Sequence, residues 1–104
     1  MRMRLFGVSE LDSLDSIKAR AARAQARTKQ ARDRAAQAKA REIEAHRRAI
    51  MMHEDAAALF DRSHQPDRAR DALQRAEHAR ELLRQAVAEQ AAAAAESSAR
   101  AATG

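Results

Sequence analysis

Residues 61–67 read DRSHQPD and contain Pro66, the only proline in a chain of 104 residues. The two glycines lie far away, Gly7 near the start and Gly104 at the end. On both sides of this heptapeptide run long, unbroken stretches of Ala, Arg, Gln, Glu and Leu, residues near the top of the helix-propensity scale. β-Branched residues are scarce, and the aromatics are two Phe with no Trp or Tyr, a composition that disfavours strands. The chain therefore reads as all-α, two helices broken once. Pro66 suits the opening of a helix and Asp67 its positive end. The expected order is a lead-in over 1–8, a long basic helix over 9–62 with Ser9 as its cap, and a turn over 63–66. A second helix over 67–97 and a frayed tail over 98–104 complete it. A connection this short makes the helices antiparallel neighbours, a two-helix hairpin.

Periodicity places a pairing seam on this frame. Alternating steps of three and four from Leu14 pass through Ile17, Ala21, Ala24, Thr28, Ala31, Ala35, Ala38, Glu42, Ala45, Ala49, Met52, Ala56 and Leu59. Only Thr28 and Glu42 interrupt the repeat, and such a run reads as a coiled-coil seam. The second helix carries a weaker one through Ala69, Leu73, Ala76, Arg80, Leu83 and Val87. Pairing outward from the turn sets Leu59 and Phe60 near Ala69 and Leu73, Met52 near Ala76, and Ala45 near Leu83. Ile43, His46, Ile50, His53 and Phe60 form a second stripe on the first helix, expected to be half-buried against the partner helix or another chain. The expected core is thin: Ile43, Ile50, Met52, Leu59, Phe60, Leu73, Leu82, Leu83 and Val87. A hairpin with so little apolar mass is marginal alone, so a homo-oligomer or a partner helix is expected. The shorter second helix leaves roughly residues 9–29 of the first projecting, with their part of the seam still to be covered.

The spacing of Ala57, Phe60, Ala69, Leu73 and Ala76 around the QPDRA turn resembles the small and large positions of a tetratricopeptide repeat. His53 stands where that repeat has Trp, His64 where it has Gly, and there is a single copy. The resemblance implies a tight helical hairpin over roughly residues 53–81.

Charge is distributed unevenly. The formal net charge is +5. Residues 18–48 hold eleven basic side chains against Asp33, Glu42 and Glu44, a local net of +8. With Leu14 at heptad position a, Arg20, Arg27, Arg34, Arg41 and Arg48 fall at g, and Lys18, Arg32 and Lys39 at e. Both flanks of the seam are basic, so pairing this stretch with itself juxtaposes like charges. An acidic helical partner protein would satisfy it. Nucleic acid is the alternative, its phosphates met by Arg20, Arg23, Arg27, Arg34 and Arg41. No interleaved aromatics provide a stacking platform for bases, so any such binding is expected to be indifferent to sequence.

Other functions are disfavoured. The absence of Cys excludes disulfide and thiolate chemistry and fits a reducing compartment. The segment MRMRLFGVSELDSLDS has too short an apolar group for a secretory signal and too many acids for a transit peptide. The reading is a cytoplasmic protein, with membrane attachment disfavoured because the apolar face is alanine. His46 and His53 are one heptad apart, about 10.5 Å of helix rise, too far to bind one metal together. There is no Cys nucleophile and no Gly-rich phosphate loop, and Ser63 beside His64 lacks an orienting third group, so no enzyme, cofactor or small-molecule substrate is expected.

Overall fold

The computed structural model describes the backbone of residues 2–103 and the side chains of residues 13–103. Two helices account for nearly all of it: α1, Arg2–Arg62, and α2, Pro66–Thr103. The protein is all-α, an antiparallel helical hairpin with a long, alanine-rich first helix. Both helices extend past the expected ends. The backbone is helical from Arg2 through Gly7 and Ser9, so Ser9 does not start the helix; its side chain lies outside the described residues. Residues 98–103, expected to fray, are helical too. Alanine propensity carries the helix on, and the Arg100–Glu96 pair at 3.3 Å bridges its final turns.

The chain divides into two units, residues 1–35 and 36–104. In the first, every described side chain, from Ser13 to Ala35, is exposed. Its internal links are short-range: Thr28 Oγ1 donates to the Ala24 carbonyl at 3.0 Å, and Lys29 pairs with Asp33 at 3.6 Å.

The second unit contains the hairpin, and its turn is explained bond by bond. His64 sits in the left-handed region, φ 59°. The Gln65 N–H donates to the Phe60 carbonyl at 2.8 Å and the His64 N–H to the Asp61 carbonyl at 3.1 Å. This is the Schellman arrangement, which satisfies carbonyls left over at a helix C-terminus. Pro66 follows as the first residue of α2, where its missing N–H costs nothing. The Ala69 N–H then closes the first turn of α2 onto the Gln65 carbonyl at 3.0 Å. Across the turn the Arg68 guanidinium lies 5.9 Å from the centre of the Phe60 ring, a cation–π contact.

The left-handed position is the one glycine fills most easily, yet histidine occupies it here. A Cβ in that region costs about 1–2 kcal/mol, partly offset because glycine adds freedom to the unfolded chain. His64→Gly should therefore stabilise the hairpin by about 0.5–1 kcal/mol. That is a rise of a few degrees in a thermal melt, whereas His64→Val should lower the midpoint.

The packed surfaces differ in phase from the expected seam. On α1 the residues turned inward are Ile43 and Ala57, buried, with His46, Ile50, His53 and Phe60 half-buried. On α2 they are Ala69, Ala72, Ala76, Ala79 and Ala86, all buried, with Leu83 half-buried. The stripe through His46 and His53, not the one through Ala45, Met52 and Leu59, faces the second helix. Met52 is 67% and Leu59 54% exposed, and Leu73 and Val87 are exposed as well. Ala45 is exposed and Ala49 half-buried. The physical reason is volume. Ile43, Ile50 and Phe60 are the bulky side chains of α1 near α2, and alanines opposite them let the helices approach closely. The buried set is Ile43 and six alanines, with Ala76 at 0% exposure.

Candidate interaction surfaces

Two cross-helix ion pairs frame the hairpin. Lys39 reaches Glu89 on α2 while holding Glu42 on its own helix at 2.8 Å. Arg80 reaches Glu54 on α1 and Glu77 on its own helix, the latter at 3.2 Å. Lys39 continues the packed stripe one step beyond Ile43 and ends it with a charge. Hydrogen bonds that the Lys39 ammonium donates to Glu42 and then to Glu89 hold it above its ordinary pKa. The same contact with Lys39 holds the Glu42 carboxyl below its own. These are exposed pairs, so they set register more than stability. His46 Nε2 lies 3.7 Å from Glu42. Among the described residues no group of three His, Asp or Glu side chains converges as a metal site would require.

In the first unit the expected seam lies open. Leu14, Ile17, Ala21, Ala24, Ala31 and Ala35 are exposed, as are the flanking Lys18, Arg20, Arg27, Arg32 and Arg34 and the outer Arg23. Leu14 and Ile17 are the large apolar side chains of this seam, at 54% and 59% exposure. Arg20, Arg23, Arg27 and Arg34 have no ion pair among the described residues. Among the described residues of this unit, Lys29 is the basic side chain that has one, with Asp33. Helical spacing sets Arg20, Arg27 and Arg34 along one edge of the apolar line and Lys18 and Arg32 along the other.

The remaining expected site residues fall in the second unit. Arg41 and Ala38 are exposed on α1. Leu83 belongs to the packed face of α2, while Leu73 and Val87 stand outside it. Ala72, Ala79 and Ala86 form part of the packed face and were not expected there. Their signal was available as spacing, since Ala69, Ala72, Ala76, Ala79, Leu83 and Ala86 follow three-four steps without a break. No described helix is long and apolar enough to cross a membrane. No family model matches the chain, nor does any curated protein or solved structure.

Proposed function

We propose that this protein is a non-enzymatic helical interaction or scaffold protein, and that residues 14–35 dock a helix of another protein. One observation carries the reading: an apolar heptad line, exposed along its described length, is bordered on both sides by basic residues. An apolar line left in water is unfavourable unless something covers it. Basic flanks exclude a second copy of the same segment and favour a partner with Asp or Glu at its own e and g positions. The alanines call for bulky residues in that partner, the combination the hairpin uses when α1 meets the alanine face of α2.

A second reading rests on the same arginines without the seam: a sequence-indifferent contact with nucleic-acid phosphates. The two part at purification. The chain has no Trp, Tyr or Cys, so it barely absorbs in the near ultraviolet, and bound nucleic acid would dominate the signal. Light scattering with ultraviolet and refractive-index detection, on protein prepared at low salt, should give a protein-only peak. Absorbance that disappears at high salt would support the phosphate reading instead.

A further inference from the structure

Residues 14–35 of α1 carry two lines of small residues on opposite sides, and the charges around them leave a seat on one. The first line is the open seam from Leu14 to Ala35, about 32 Å of helix. Thr28 does not break it, because its hydroxyl already donates to the Ala24 carbonyl at 3.0 Å and needs no acceptor from a partner. The second line lies at heptad positions b and f and holds Ala19, Ala22 and Ala26. The same three-four steps put Asp15 before these alanines and Lys29 and Asp33 after them. Lys29 and Asp33 pair across the line at 3.6 Å. Three alanines between charges span about two turns, with no large apolar residue to anchor a helix.

The flanks then limit what the seam can hold. Lys18 and Arg32 at e, and Arg20, Arg27 and Arg34 at g, confine the apolar residues to a and d. Gln25, at the remaining e position, is polar as well. A helix in a bundle adds e or g to its apolar face, whereas a stripe held to a and d is the seam of a two-stranded coil. A third helix would have to bury these cations, at a cost that ion pairing does not reliably offset. We infer, on the docking reading above, that this arm takes a single acidic helix and forms with it a two-stranded heteromeric coiled coil. The partner is thus a lone heptad helix with apolar residues at a and d and Asp or Glu on both flanks. A helix whose e or g positions are apolar, as on the face of a bundle, does not fit.

Sedimentation equilibrium of the full chain counts the partner. The probe is an excess of a peptide with Leu at a and d, Glu at e and g, and one Trp outside its seam. The chain has no Trp or Tyr, so near-ultraviolet absorbance follows the peptide and refractive index follows the total mass. Saturation should come at one peptide per chain. Ala24→Gln/Ala31→Gln, in the seam, should weaken binding at least about tenfold. Ala22→Gln/Ala26→Gln, one substitution in each pair of turns on the opposite line, should stay within about twofold. All four positions are exposed, so circular dichroism should show wild-type helicity in both variants. Two peptides per chain, or one shared between two chains, would overturn the single-helix inference while docking at residues 14–35 stands. Equal losses in the two variants would overturn it as well. A wild type that takes up no peptide would contradict the docking reading itself, and this inference with it.

Discussion

Ala76→Asp is expected to abolish the cooperative melt of the hairpin. Ala76 has 0% exposure and lies midway along the alanine face of α2. A carboxylate there enters the contact between the helices, and the added volume pushes the helices apart. The burial costs about 4 kcal/mol or more. A small scaffold whose core rarely supplies more than about 3–5 kcal/mol cannot absorb that loss. Ala88→Asp is the control, because Ala88 is exposed on the same helix. It should cost only about 0.5 kcal/mol, the difference in helix propensity. Thermal melts followed by far-ultraviolet circular dichroism compare the two. If Ala76→Asp melts like the control, the alanine face of α2 is not what holds the hairpin together.

Reversing Arg20, Arg27 and Arg34 to Glu has the second large effect, on binding rather than stability. All three are exposed and lie on one edge of the open seam. Each reversal lowers the net charge by two, so the net over residues 18–48 falls from +8 to about +2, and one flank becomes acidic. Binding of an acidic partner helix should weaken at least about 100-fold. Replacing Ala21, Ala24 and Ala31 with Gln separates the two functional readings. It should disrupt helix pairing while leaving attraction to a polyanion nearly intact, because the charges remain. Isothermal titration of both variants against an acidic heptad peptide and against duplex DNA measures this. If neither set changes binding to either probe, both readings fail.

How far the sequence could be read depended on which residues were rare. Pro66 stands alone, so the turn and the antiparallel hairpin were legible from it. The left-handed His64 was less so, because histidine does not announce that conformation as glycine does. The phase of the main seam was misplaced, although the stripe that packs, Ile43, His46, Ile50, His53 and Phe60, was expected as a second, half-buried one. Alanine is so frequent that a heptad line can be drawn through α1 in more than one phase, and the line from Leu14 continues to Leu59. Glu42 on that line was the usable warning. Counting instead from Ala35 to Lys39 to Ile43, two steps of four, moves the pattern onto the stripe of Ile43, His46, Ile50, His53, Ala57 and Phe60. Such a shift is a one-residue slip in the heptad repeat. On α2 the large residues Leu73 and Val87 drew the expected seam to themselves. What packs there is chosen by fit to the bulky face of α1, and alanine fits where leucine would collide. The basic flanks of residues 18–34 needed no fold to be seen, since heptad arithmetic places them directly.

The central claim is that residues 14–35 recognise a helix through seam and flanks together. Its most direct test is a titration of the full chain with two peptides of identical composition. One carries Leu at a and d and Glu at e and g; the other has the same residues in an order with no heptad. The heptad peptide should bind with a gain in helicity, and the scrambled one at least about tenfold more weakly. Equal affinity for both peptides, falling together as salt is raised, would contradict it and leave a basic helix that attracts any polyanion.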